Sequence, residues 1–265
     1  MLDTLRLYLR YLGVLTRSRL QYRTNFAMMA IGQFLVTGVE LTTILVLFQR
    51  FSSLRGWTMA EVALFYGLVN VSFALAEGLG RGFDHFYTLV RTGEFDRLLL
   101  RPRGPALQVA ALDLALFRIG RFAQGLLVLI WAATALHVEW TLVRLAFLAA
   151  SILGGACFFI GAYVLQATLA FWTVDSIQVF NIITNGGVQA AQFPLAIYRR
   201  WYRVFFTTVV PLAFVAYYPG LALLGRGGGI PVPVQWLGPL VGLLFLLVSL
   251  QVFRLGVRHY RSTGS

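Results

Sequence analysis

The chain contains no lysine: all 22 of its basic residues are arginine. That absence excludes the phosphate-binding loop that ends in Gly-Lys-Ser/Thr, so the chain has no such route to ATP. It has one cysteine, Cys157, inside the apolar run "SILGGACFFIGAY", which rules out an internal disulfide and a cysteine metal cluster. Its three histidines, His85, His137 and His259, fall in loops or the tail, remote from one another, and neither HExxH nor GxSxG occurs. The hydroxyl residues lack a base nearby, so no catalytic or metal-binding constellation is expected. Charge of either sign is scarce, at 12 % of residues.

What fills the 265 residues is apolar side chain, 58 % of the total. Such a composition places the chain in a membrane as one folding unit, because each span takes ~20 apolar residues and no polar block remains for a soluble domain. The net charge of +12 does not point to nucleic acid, since the arginines flank apolar runs instead of forming a basic face. No nucleic-acid partner is expected. An all-α membrane protein of six spans follows, at about residues Phe26–Phe48, Met59–Leu79, Leu107–Leu136, Leu142–Thr173, Ile177–Ala196 and Val234–Phe253.

Residues 1–24 precede the first span as an amphipathic stretch, with Leu5, Tyr8, Leu9, Leu12, Leu15 and Leu20 on one side and Arg6, Arg10 and Arg17 on another. An interfacial helix with its arginines at the lipid phosphates fits this pattern, and a solvated leader is the alternative. The third span carries Asp113, Arg118 and Arg121 in its early turns, which suits a helix protruding into water before it enters lipid. Between Tyr198 and Pro231 an apolar segment is interrupted by Pro211 and Pro219, a spacing that favours a re-entrant pair of short helices over one straight span. Trp201, Tyr202, Tyr217, Tyr218 and Trp236 fit interfacial anchors there. With the N-terminus inside, fifteen arginines fall on the cytoplasmic side and seven outside, which orients both termini to the cytoplasm.

The longest charged stretch, residues 81–105, then lies in the cytoplasm. Phe83, Phe86, Tyr87 and Val90 recur at three- and four-residue spacing, Gly93 stops that helix, and "EFDRLLL" starts another with Glu94 and Asp96 in its first turn. Arg-Pro-Arg-Gly-Pro then breaks the chain. Two such helices suit a groove in a partner, or equally a surface lying on the headgroups. Glu40 is the one acid near the centre of a span; it is either a substrate or proton site, as in an ion- or proton-coupled secondary transporter, or a carboxyl kept neutral or paired with a neighbouring helix.

Two stretches together, "GEFDRLLLRPRGP" and "FPLAIYRRWYRVFFTTVVPLAFVAYYPGLALLG", resemble the membrane permease subunits of exporter-type ATP-binding-cassette transporters, the ABC-2 family, in its small six-span branch. Many members carry a proline after Ile-Tyr where this chain has Arg199. The resemblance implies an elbow helix at residues 1–24, a coupling helix within residues 81–105 docking on an ATPase subunit, and a re-entrant gate in residues 198–231 with Pro211, Tyr217, Tyr218 and Pro219. The coupling residues would be Phe83, Phe86, Tyr87, Val90, Glu94, Phe95, Asp96 and Arg97. It further implies a second permease subunit, the same chain or another, met through spans one and five. ATP and Mg²⁺ would sit on the partner subunits and no cofactor on this chain, in the cytoplasmic (inner) membrane of the cell.

Overall fold

The computed structural model describes residues 2–136, 138–172, 182–227 and 229–260. Among them the regular elements are all helices, and five helices are long and apolar enough to cross a membrane. Helix α1 (Leu2–Leu20) leads into α2 (Arg23–Arg50). The 28 residues of α2 span about 42 Å, more than the ~30 Å hydrocarbon core requires. Little of its surface is covered, and its outward Leu35, Val36, Val39 and Val46 suit a lipid-facing helix.

Helix α3 (Met59–Asp84) lies at the centre of the bundle. Thr58 accepts the Glu61 backbone N–H while Glu61 answers the Thr58 N–H at 2.8 Å, a reciprocal cap that fixes where the helix starts. From Val62 to Ala74 its residues are apolar or small and buried on every side, the pattern of a helix enclosed by others. Helix α4 (Phe86–Arg91) continues it after a turn at His85, and α5 (Glu94–Leu99) follows Gly93. Then come α6 (Pro105–Ala110), α7 (Ile119–Ala135) and α8 (Leu142–Leu169), the last capped by Thr141.

The third span differs from the expectation of one helix starting near Leu107. Residues 111–115 are not helical, a single 3₁₀ turn (Leu116–Arg118) follows, and the span proper runs from Leu116 to Ala135. Asp113 sits in the break, where its carboxylate meets Arg19 at 2.7 Å and Arg81 at 3.4 Å. Leaving the helix satisfies that charge better than a place on an apolar helix face. Arg118 and Arg121 do not protrude into water either; Arg121 is 8 % exposed.

Of the expected fifth span, residues 177–181 lie outside the described residues, as do Thr173, Asp175, His137 and the tail from residue 261. Its described remainder is a π-helical turn (Ile182–Gly186), α9 (Gly187–Ala191) and a 3₁₀ turn (Leu195–Ile197). Next, α10 (Arg200–Val204) and a π-helical turn form the first arm of a bent pair, Arg200–Val209, and residues Leu212–Leu224 the second, at 80° to it. Counted as one span, the pair makes six. The break comes at Pro211 alone: Pro219 occupies the first turn of α11 (Tyr217–Leu224), where its missing N–H has no helical partner to lose. Short α12 (Val232–Gln235) precedes α13 (Gly238–His259).

The packing order is α2 against α7, α7 against α3, α3 against α8 and α8 against α13. The α8–α13 pair is the most extensive, and Gly242 lies so close to the Gly154 backbone that any side chain there would collide with its carbonyl. Small residues allow that approach, and dispersion then holds helices that share no water to expel. The bundle has two ends. One carries α4, α5 and the last turn of α13, and the other carries the bent pair, α12 and the start of α3.

Candidate functional site

At the first end, the loop over residues 81–105 is built as the apolar spacing requires. Gly93 holds φ +71°, a left-handed conformation that costs glycine little, and this turn reverses the chain between α4 and α5. The reversal stacks Phe86 on Phe95, ring centroids 4.9 Å apart and edge to face. Phe86 also meets Phe171 at 5.2 Å and Phe253 at 5.3 Å, while Phe95 meets Tyr260 at 5.1 Å. Both phenylalanines are fully buried. Each aromatic pair contributes ~0.5–1.5 kcal/mol beyond its burial, so the cluster fixes the loop to the ends of α8 and α13. Burial, with the Asp96 carboxylate beside it, holds the Tyr260 hydroxyl above the usual phenol value. The Arg-Pro-Arg-Gly-Pro turn is pinned by Gln108, whose side-chain amide donates to the carbonyls of Leu98 at 3.0 Å and Arg103 at 2.8 Å.

The eight residues expected to contact a partner therefore divide. Phe83 belongs to α3, not to the loop helix, and it is buried with Phe86, Val90 and Phe95 among this chain's own aromatic rings. Tyr87 and Asp96 are half-buried, whereas Glu94 and Arg97 are exposed. Around them the free face consists of Thr88, Arg91, Leu99 and, most fully, Leu100 at 86 % exposure.

Behind the loop, between α2, α3 and α7, lies a buried set of charges. Arg118 bonds Glu77 at 2.6 Å, and Arg121 lies 3.8 Å from the other Glu77 oxygen and 3.7 Å from Glu40. Two carboxylates thus face two guanidiniums. Arg118 also donates to Gln33 at 2.7 Å, Arg121 lies over the Phe73 ring at 5.2 Å, and the Tyr66 hydroxyl is shared between Gln124 and the Thr37 carbonyl. Glu40 is therefore not alone in the span: the Arg121 guanidinium of α7 lies 3.7 Å from its carboxylate.

At the other end, Arg226 reaches back across the chain to Glu61 at 2.8 Å, to the Gly56 carbonyl, and over the Trp57 ring at 4.5 Å. Tyr217 and Tyr218 do not anchor at a surface but are buried, Tyr217 against Trp57 and Phe65 and Tyr218 against Phe214. Trp201 is strongly exposed, and Phe205 and Trp236 are exposed to a lesser degree. The angle of the bent pair shapes an open pocket of about 600 Å³ with Arg200, Arg203, Thr207 and Tyr218 on its wall.

The family model of ABC-2 family transporter proteins matches residues 34–264. The chain belongs to the ABC-2 family. No curated protein and no solved structure matches it. As an ABC-2 permease it is an integral membrane protein of a family whose members rely on ABC ATPase partners for ATP hydrolysis. The match begins within α2, so α1 lies before it.

In this ABC-2 permease the two arginines expected on a helix protruding into water are instead paired with Glu77, an acid near the end of the second span that the sequence alone did not connect to them. A signal was available. Arg118 and Arg121 stand three residues apart, hence on one helix face, at the head of an apolar run that buries them and so requires acids opposite.

Proposed function

We propose that this chain is the permease subunit of an ATP-driven ABC-2 exporter, sharing a translocation path with a second permease subunit and driven by separate ATPase subunits. The observation that carries the proposal is the aromatic clamp. A loop of two short helices is locked to the ends of α8 and α13 through Phe86 and Phe95, while Arg91, Glu94, Arg97 and Leu100 face outward. A rigid knob with a mixed apolar and charged face transmits force from a docked partner into the bundle. ATP binding closes the ATPase pair, the knob moves with it, and α8 and α13 shift between inward and outward access.

In this reading ATP and Mg²⁺ belong to the partners, and the arginine bias places the knob and both termini in the cytoplasm of a cell whose inner membrane holds the bundle. Helix α1 serves as the elbow, tied to the break before α7 by Arg19 and Asp113. The bent pair, with Pro211, Tyr217, Tyr218 and Pro219, closes the outer end of the path.

The test is co-purification and ATP turnover with the companion ATPase. Arg97→Glu together with Leu100→Asp should release the ATPase from a folded permease and uncouple hydrolysis from transport; retained association and coupling would refute the assignment. Transport without ATP that is lost in Glu40→Gln would favour ion coupling instead, although Arg121 beside Glu40 speaks for a structural pair.

A further inference from the structure

Along α13, Leu246, Leu250, Phe253 and Val257 form one apolar stripe, half-buried except at Phe253, which is 1 % exposed and forms the inner wall. Together with Leu107 and Ala110 of α6 it walls an open groove of about 620 Å³, with Ile160 and Val164 of α8 at its floor. From Leu246 to Val257 the stripe runs about 16 Å, half of the ~30 Å hydrocarbon core and so the depth of one leaflet. Arg254 and Arg258 stand one turn apart at its loop end, both exposed and both lining the groove. No acid lines it, and among the described residues neither arginine has an ion-pair partner; Arg254 donates only to Gln251. By contrast, the apolar cleft between α2, α3 and α7, walled by Leu41, Ile44 and Trp131, has no charged residue on it.

We infer that this groove is a binding site for an anionic phospholipid of the leaflet at the loop end, with one acyl chain along the α13 stripe and the phosphate on Arg254 and Arg258. A leaflet-deep apolar channel ending in two unpaired cations matches an amphiphile with one charged end. A zwitterionic lipid would bring a cation to the same place. Basic pockets between spans at the cytoplasmic surface recognise anionic headgroups on these grounds. Because α6 follows the Arg-Pro-Arg-Gly-Pro turn directly, an occupying lipid touches the segment that connects the knob to the third span. The lipid site stands whether or not an ATPase docks there.

The test takes the full chain through nanodiscs of equal phosphatidylglycerol and phosphatidylcholine into detergent, and counts retained lipid by native mass spectrometry. Wild type should keep one phosphatidylglycerol with a preference of about 30-fold, roughly fivefold from each arginine near the surface. Arg254→Gln with Arg258→Gln should bring the preference near unity, and Ala110→Phe, which fills the groove and leaves both arginines, should remove retention of either lipid. Elution volume and helical content report folding of each variant. A wild type without preference overturns the site, as does a preference that survives both variants. An added mass equal to another copy of the chain, lost in Ala110→Phe, assigns the groove to self-association and overturns it too.

Discussion

Replacing Glu77 by alanine would leave Arg118 with Gln33 alone and Arg121 with Glu40 at 3.7 Å, so two buried guanidiniums would share one distant carboxylate. Removing one partner of a buried pair costs ~3–5 kcal/mol, because the remaining charge stays desolvated. At ~2–4 °C per kcal/mol for a chain near this size, the midpoint of thermal unfolding in detergent should fall by about 6–20 °C. Glu77→Gln combined with Arg118→Gln removes both charges and leaves a polar amide at each position. That double variant should recover at least ~1.5 kcal/mol relative to the sum of the two single changes, the coupling expected of groups in direct contact. The assay is the midpoint followed by near-ultraviolet signal or by loss of monodisperse protein on heating. A single variant that melts within 2 °C of wild type, or a double variant equal to the sum of the singles, would show that these charges do not depend on one another.

Phe86→Ala should lower stability by ~3–5 kcal/mol, since it removes the ring at the middle of the aromatic cluster, and proteolysis between residues 86 and 105 should accelerate. Gly82→Ala would drive a methyl group into the Val109 carbonyl, a backbone atom that cannot turn aside, so α6 must separate from α3; accelerated hydrogen exchange at 105–110 is the expected sign. Arg226→Gln frees Glu61 and Trp57, and because the arginine is half in solvent the loss should be small, about 1 kcal/mol. Its cleaner readout, in a chain that keeps Trp57 as its one tryptophan, is a rise in fluorescence quenching by neutral acrylamide, and unchanged quenching would refute the contact.

Periodicity read the loop well because its chemistry is local. The three- and four-residue spacing of Phe83, Phe86, Tyr87 and Val90, the positive φ of Gly93 and the acids opening α5 need no distant residue to be recognised. The same pattern cannot say where the buried faces point. Phe86 and Phe95 looked ready for a partner, yet Phe171 and Tyr260 supply the rings that cover them from 85 and 165 residues further along the chain. The break around Asp113 was illegible for a like reason: its cause is Arg19, 94 residues earlier. Composition located the apolar helices, and long-range charge pairing decided how their ends are cut.

The tie between Arg226 and the opening of α3 bears on how the protein is made. Its Gly56 contact joins residues 170 positions apart, which at ~5–20 residues per second separates their synthesis by roughly 10 to 30 s. During that interval one Glu61 oxygen has no Arg226 to meet, while Thr58 lies close enough in the chain to engage the other. The reciprocal cap thus acts as a provisional fastening on the nascent chain. The late arrival of Arg226 makes the bent pair the piece that completes assembly, so a ribosome stalled before that codon should leave a chain in which the start of α3 stays open to protease.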